Sequence, residues 1–286
     1  MWVIFAFLSA FFAGVTSILA KCGIRKTDSN LATAIRTIVV LIFSWLMVFL
    51  VHAQNEIGTV SGQTWIFLIL SGLATGASWL CYFKALQTGD VNKVVPIDKS
   101  SVILTILMAF LFLGEEISAL KFICVIFIGI GTYLMITKKE GTEAKKKGNG
   151  WLIYALCSAF FASLTSILGK VGMEGINSNL GTAIRTIVVL LMAWLVVFVT
   201  KKQSELKEID KKELGFICLS GLATGASWLC YYKALQDGLA SVVVPIDKLS
   251  IVVTVIFSYI VFKEKLSKKA LLGLLLILAG TLLMLL

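Results

Sequence analysis

Two short stretches of this 286-residue chain place an acid and a base side by side inside apolar surroundings. Val94-Val-Pro-Ile-Asp-Lys99 returns letter for letter as Val243 to Lys248, and the two copies hold both prolines, Pro96 and Pro245. A carboxylate and an ammonium at the front of an oily run can pair with other charges, carry a proton or hold a polar ligand. Catalysis is not indicated. The sole histidine, His52, has no counterpart, and no Cys/His pair, HExxH or phosphate loop accompanies the acids. The chain therefore reads as a non-enzyme with no cofactor and no metal.

The elements that carry these residues are set by composition. Hydrophobic residues make up 58% of the chain, charged residues 15%, and the mean hydropathy is +0.95. Soluble domains carry roughly 25% charged residues. Continuous apolar runs of about 18–23 residues recur, long enough to cross ~30 Å of hydrocarbon as helices. A barrel would alternate instead. The expected fold is an all-α polytopic membrane protein in the lipid bilayer. The net charge of +10 does not point to nucleic acid, because the lysines sit in short loops where they orient a membrane protein. The six cysteines lie in or at the ends of apolar runs without metal-ligand spacing and read as small packing residues. Ser17 to Cys22 faintly resembles a lipoprotein cleavage site. Lys21 before the cysteine, and the internal return of the same helix at Trp151 to Lys170, argue against it.

One repeat dominates. Ser71 to Tyr82 returns unbroken as Ser220 to Tyr231, Thr33 to Leu41 returns around Arg185, and Ser9 to Ala13 returns at Ser158, all with an offset of 149. Each half holds five candidate spans: 2–20, 30–52, 63–87, 92–113 and 119–137, then 151–169, 179–200, 213–236, 242–262 and 268–286. Residues 1–137 and 151–286 form the two repeats, and 138–150 form a basic linker. Five is odd, so ten transmembrane helices arise as two inverted five-helix repeats. Charge supports the inversion. Lys21, Arg25 and Lys26 follow span one, but only Lys170 is kept after its counterpart. The loop His52 to Gly62 has no Lys or Arg, whereas its counterpart has Lys201, Lys202, Lys207, Lys211 and Lys212. The lysines change loops and stay on one side, which the positive-inside rule makes cytoplasmic. Both termini then face away from the cytoplasm.

The series of motifs resembles the drug/metabolite transporter superfamily, and more closely the EamA-type family, as two short five-span units fused in tandem. The blocks that carry it are Ser29-Asn-Leu31, Ala34-Ile-Arg36, Tyr82-Phe-Lys-Ala-Leu86, Val95-Pro-Ile-Asp-Lys99 and Leu113-Gly-Glu115. All but the Gly of the last have second-half counterparts. The resemblance implies helices around a central cavity and alternating access. It implies no particular substrate, because members carry amino acids, nucleotide sugars, cations and drugs. Longer members are usually drawn with both termini in the cytoplasm, whereas the lysines here place them outside.

Helical spacing puts polar residues in stripes that could line such a cavity. Span four aligns Asp98, Ser101 and Thr105, and span nine Asp247, Ser250, Thr254 and Ser258. Span three aligns Ser71, Thr75, Ser78 and Tyr82, and span eight Ser220, Thr224, Ser227 and Tyr231. Span one aligns Ser9, Ala13 and Thr16, span two Asn30, Thr33 and Thr37, each with a second-half copy. A single Ser or Thr in a membrane helix commonly bonds its own i−4 carbonyl, but the same stripe on four helices, twice, points to a binding surface. Spans five and ten lack one and read as scaffold through Gly131-Thr132 and Gly280-Thr281. Gly72-x-x-x-Gly76 and its copy at Gly221 lie off the stripe and read as helix packing.

Asp98 and Asp247 are the acids well inside spans. Their expected partners are Arg36 or Lys84, beside the adjacent Lys99, and Arg185 or Lys233, beside Lys248. Lys84 and Lys233 can equally snorkel to headgroups, and Glu115 and Glu264 read as wet helix ends. The prolines are expected in the first turns of spans four and nine, where a missing donor costs little. Burial favours a protonated carboxyl and so proton coupling; three cationic neighbours favour an ionised gate anchor, the expected role. The cations suit a carboxylate or phosphate substrate, while Trp79, Trp228, Tyr82 and Tyr231 suit a cation or aromatic ring equally well. The function expected is a secondary transporter for a small polar or amphipathic metabolite or drug-like compound at the cell membrane, with protons a candidate coupling ion. The alternatives are a lipid flippase and a channel.

Overall fold

The computed structural model of the chain describes residues 1–24, 26–88, 94, 97–116, 118–135, 150–263 and 267–285. Arg25, Pro96, Glu264 and linker residues 138–149 lie outside them, as do the side chains of Phe83 and Ser258.

The described residues are helical with no strand. The α-helices are α1 (Trp2–Gly23), α2 (Ser29–Leu50), α3 (Gly62–Thr88), α4 (Ser101–Leu113), α5 (Ala119–Met135), α6 (Gly150–Gly172), α7 (Ser178–Val199), α8 (Lys211–Asp237), α9 (Ala240–Lys248), α10 (Ser250–Phe262) and α11 (Lys268–Leu283). Short 3-10 turns at Ala53–Thr59 and Gln203–Glu208 follow α2 and α7. Apolar residues on all faces suit helices that close their own backbone hydrogen bonds in hydrocarbon. Among the described residues seven helical segments are long and apolar enough to span a membrane, and Ala119–Met135 is a shorter apolar helix. Outward residues such as Leu111, Phe112 and Leu191 are two-thirds exposed, a surface suited to lipid and not to water.

Polar residues at the helix starts fix where several begin. Asp28 caps α2 by accepting from Asn30 and Leu31 N–H, Asn177 caps α7, Asp210 caps α8 and Ser267 caps α11. Each such cap contributes ~1 kcal/mol by pairing an orphan amide.

Packing runs mainly between the halves. The helix α1 lies against α8, and α6 lies against α3. The pair α1/α8 is antiparallel: Trp2 meets Gly238, Ser9 meets Ser227 and Gly23 meets Ile217. The pairs α2/α7 and α5/α11 also cross from one half to the other. Exchanging the halves converts α2/α8 into α7/α3, and α1/α10 into α6/α4, and all four pairs are packed. Glycines allow the closest crossings. A Cβ on Gly131 would sit 2.6 Å from Gly273 O, and one on Gly72 would sit 2.7 Å from Val188 Cβ. The GxxxG of α3 thus seats α7, and that of α8 seats α2 through Val39 and Phe43.

Span nine departs from the expectation of one helix opened by proline. It is two helices broken at Leu249, and Pro245 is the sixth residue of α9. The run Ala240-Ser-Val-Val-Val244 extends the helix ahead of the proline. Proline inside a helix removes one i−4 bond, and the helix ends three residues later. Pro96, in the other copy, lies outside the described residues.

Candidate functional site

The two Asp–Lys pairs lie where the halves meet. Asp98 is in a helical segment just before α4 (residues 97–99), and Asp247 is near the end of α9. Their partners are not the expected cations. Asp98 Oδ1 accepts from Ser158 Oγ at 2.7 Å, and Asp247 Oδ1 accepts from Ser9 Oγ at 2.6 Å. Each serine also lies near a second one: Ser158 faces Ser78 at 3.4 Å, and Ser9 faces Ser227 at 3.3 Å. Ser78 and Ser227 donate to the Ser158 and Ser9 carbonyls, both at 3.1 Å. The same Ser–Asp–Ser arrangement is built twice. Each copy draws its first serine from the opening helix of the opposite half.

The expected pairs of Asp98 with Arg36 or Lys84, and of Asp247 with Arg185 or Lys233, are not formed. Lys84 is exposed. Lys233 reaches Asp237 at 2.9 Å on its own helix. The physical reason is the cross-half packing. The expected partners belong to the same half as their acid, but the helix closest to α8 is α1 and the helix closest to α3 is α6, each from the opposite half.

Lys99 stands beside Asp98 with Nζ 4.0 Å from Oδ2, and its side chain is 51% exposed. It is within electrostatic reach of Lys248, Asp98 and Asp247, so the two copies of the Asp–Lys motif face one another across the halves.

The end of the bundle that holds Arg185 is sealed. Arg185 is 1% exposed. It donates to Thr75 Oγ1 at 2.8 Å and Ser71 Oγ at 3.3 Å, and lies over the rings of Tyr232 (4.4 Å) and Trp228 (5.3 Å). Hydroxyls and aromatic faces replace water around the guanidinium without a carboxylate. Tyr231 OH pairs with Ser166 Oγ at 2.8 Å. Further out, Lys170 Nζ donates to the carbonyls of Leu235 (3.0 Å) and Gly238, and Gln236 Nε2 donates to those of Met173 and Ile176.

Glu115 closes the same end. Expected to be wet, it is 5% exposed. Gly114 at φ +65° ends α4 in the left-handed region and turns the chain back. Both carboxylate oxygens of Glu115 then accept from the first amides of α9, Ala240 N–H at 2.7 Å and Ser241 N–H at 2.9 Å. Lys170 Nζ stands 4.0 Å away. The anion at the N-terminus of α9 is therefore Glu115 and not Asp247, a favourable placement against the helix dipole. The repeated Glu at 115 and 264 was the sequence signal for this role; Glu264 lies outside the described residues.

The other end differs. Arg36, the counterpart of Arg185, donates to Thr33 of its own helix at 3.5 Å. A pocket lined by Ala20, Ile24, Thr33, Arg36, Ile217 and Ser220 separates it from α8. Lys21, the counterpart of Lys170, is exposed. The helix α8 packs against both α6 and α7, but among the described residues α3 has no comparable packing against α1 or α2. The Glu213 carboxylate holds the α1–α2 turn by accepting from Thr27 Oγ1 (2.6 Å) and the amides of Lys26 and Thr27.

The remaining stripe residues divide. Thr75 and Thr224 bond their own i−4 carbonyls and also approach Thr165 and Thr16 across the halves, each at 3.3 Å. Thr105 and Thr254 donate to Ser101 and Ser250 carbonyls in their own helices. Ser101 and Ser250 begin α4 and α10 and are half-buried. Trp79 packs beside Leu31, Ala34 and Ala193, between α2 and α7. Tyr82 packs beside Ala85, Val94 and Ala155 and is within electrostatic reach of Asp98.

The EamA-like transporter family matches residues 1–137 and again residues 149–286. An uncharacterized transporter in the cobO 3′ region of a Sinorhizobium species is 42% identical over 134 residues, which is 47% of this chain and 95% of that protein. An uncharacterized transporter of Archaeoglobus fulgidus is 25% identical over 78% of this chain and 77% of its own length. A protein solved by crystallography shares the fold with a TM-score of 0.79 at 14% identity, over 99% of this chain and 96% of that one. Two tandem family matches spanning nearly its full length show that this chain belongs to the EamA-like transporter family.

Proposed function

We propose that the protein is a secondary transporter that moves a small polar or amphipathic metabolite across the cytoplasmic membrane by alternating access. Ten spans form two five-span repeats of opposite orientation, residues 1–137 and 151–286, joined by the linker 138–150. The antiparallel α1/α8 pair and the set of packed pairs that survives exchange of the halves support the inversion. The lysine-rich loops support an orientation with the Arg36 end at the cytoplasm and the sealed Arg185 end outside.

The observation that carries this reading is a centre built twice between ends that are not alike. The Ser9–Asp247 and Ser158–Asp98 pairs match within 0.1 Å, while Arg185 is sealed in and its counterpart Arg36 borders a pocket. A carrier needs two exchangeable ends around one site, closed in turn. A channel has no such requirement.

The test is a cross-link. Cysteines replacing Thr33 and Ser220, on opposite walls of the Arg36-end pocket, are joined by a short bifunctional thiol reagent in protein lacking its native cysteines. A third cysteine replacing Ser166, shielded behind Tyr231, reports on the Arg185 end. Closing the first end should make Ser166→Cys reactive from the other side. Continued protection, or simultaneous reactivity of both ends in the uncross-linked protein, would overturn alternating access.

A further inference from the structure

We infer that the pocket beside Arg36 is an oxyanion site, which takes the carboxylate or phosphate group of a small organic anion or of an anionic lipid. Such a site shares no residue with the Asp–Lys pairs and does not depend on alternating access.

The pocket lies between the end of α1, the first two turns of α2 and the wall of α8. Its lining holds Arg36 and the hydroxyl residues Ser29, Thr33 and Ser220, and among the described residues no acid lines it. Ala32 and Ser220 are buried, whereas Ile24 and Ser29 are exposed, so the pocket runs inward from the helix ends. Its volume of about 60 Å³ exceeds the ~10–15 Å³ that one water needs and leaves room for a group of a few heavy atoms. The acids nearest in the chain are turned elsewhere. Asp28 accepts from the Asn30 and Leu31 amides, and both oxygens of Glu213 are engaged by Thr27 and the Lys26 amide. A cation in the pocket would meet like charge. The exposed Lys21 and Lys26 beside it make the approach basic, which concentrates anions.

The repeat shows what Arg36 lacks. Arg185 donates to Thr75 Oγ1 at 2.8 Å and Ser71 Oγ at 3.3 Å. The equivalents of those hydroxyls are Thr224 and Ser220, which donate to the Ser220 and Ile217 carbonyls of their own helix. Among the described residues neither accepts from Arg36, whose hydrogen bond goes to Thr33 Oγ1 at 3.5 Å, the far limit for such a bond. A guanidinium has five N–H donors and no acceptor. Its planar fork matches a carboxylate or phosphate with two parallel bonds. A neutral acceptor would fill the donors but leave the half-buried charge uncompensated. Thr33 lies one turn nearer the helix start, so the bond to it turns the guanidinium toward the open side of the pocket.

The test is arginine modification, because the chain has three arginines, Arg25, Arg36 and Arg185. Purified full-length protein, freed of lipid in uncharged detergent, is treated with glyoxal, a small dicarbonyl that adds to guanidinium groups. Peptide mass spectrometry gives the rate at Arg36, with Arg25 as internal reference and chloride at matched ionic strength as baseline. Inorganic phosphate and acetate should each slow Arg36 saturably, by about tenfold at about ten times the half-protecting concentration, and change Arg25 by less than about twofold. Acetamide, which has the shape of acetate without its charge, should not protect. Phosphate protection that persists in phosphatidylglycerol nanodiscs assigns the site to a soluble anion. Protection by phosphatidylglycerol itself, and not by phosphatidylcholine, assigns it to an anionic lipid. An Arg36 that glyoxal does not reach, that phosphate and phosphatidylglycerol leave unchanged, or that acetamide protects as well as acetate would overturn the site. The cross-link measurement reads thiols and no arginine, so alternation and the anion site can each fail alone.

Discussion

Replacing Glu115 by Gln isolates the seal at the Arg185 end. The carboxylate accepts two backbone N–H bonds, at 2.7 and 2.9 Å, from the first turn of α9. An amide keeps one oxygen but presents an NH₂ group to the second backbone donor. One charge-assisted bond is lost, worth ~1.5–3 kcal/mol, and one buried N–H loses its partner. The favourable charge–dipole contact at the helix N-terminus, ~0.3–2 kcal/mol, goes as well. On the alternating-access proposal these contacts exist only while this end is shut and Glu115 is hydrated when it opens. The shut state should then lose about 2–4 kcal/mol, or roughly 30- to 700-fold in the shut-to-open ratio. The assay is the labelling rate of Ser166→Cys by an impermeant thiol reagent in proteoliposomes, in protein lacking the six native cysteines. The rate should rise at least about 30-fold until the open state dominates. Glu116→Gln is the control, because Glu116 is an exposed neighbour of the same charge. The reasoning is falsified if Glu115→Gln labels within twofold of the parent, or if Glu116→Gln reproduces its effect.

Three further outcomes are expected. Ser9→Ala and Asp247→Asn should be non-additive, with a coupling of about 1–3 kcal/mol in thermal unfolding, because they remove the two ends of one 2.6 Å bond; additive losses would show that the bond does not hold the centre. Gly131→Val should lower stability by ~1–3 kcal/mol or more, since even a Cβ meets Gly273 O at 2.6 Å, whereas Gly215→Val, with open space around it, should not; equal effects would contradict the α5/α11 crossing. A cysteine in the 138–150 linker should react with impermeant reagent only after cells are opened, and labelling of intact cells would reverse the orientation without touching the repeat.

Much of the fold was legible because the helices obey local rules. Apolar runs alone placed α2 and α7, expected at 30–52 and 179–200, to within a few residues of Ser29–Leu50 and Ser178–Val199. What could not be read was which helices touch. In a bilayer the apolar pattern says little about neighbours, since lipid and protein are equally oily. The charges of Asp98 and Asp247 were recognised as out of place, but their serine partners lie 60 and 238 residues away in the chain. The sequence marks Ser9 and Ser158 by their stripe, and nothing in the stripe points to the acids. Glu115 was misread for a related reason. Its place at a helix end suggested water, and only the return of the chain through Gly114 brings it to the start of α9. The break after Pro245 was missed because the valines ahead of it extend the helix just as well as a proline would have started it.

The cross-half pairing bears on how such a protein could change state. Each central aspartate belongs to a broken span of one half, and its serine to the first helix of the other. Tilting one half against the other by a small angle displaces the ends of long helices far more than their middles. The α6 residue Ser158 is about a third of the way along its helix, whereas Lys170 is two residues from its end. A rocking motion would therefore strain Lys170, Glu115 and Gln236 before it strained Ser158 and Asp98. On the proposal made here the Ser–Asp pairs act as the pivot and persist in both states, while the Arg185 and Arg36 ends exchange roles. The asymmetry of the ends is then a property of the state and not of the sequence, for Arg36 has equivalents of every hydroxyl that holds Arg185, in Ser220 and Thr224.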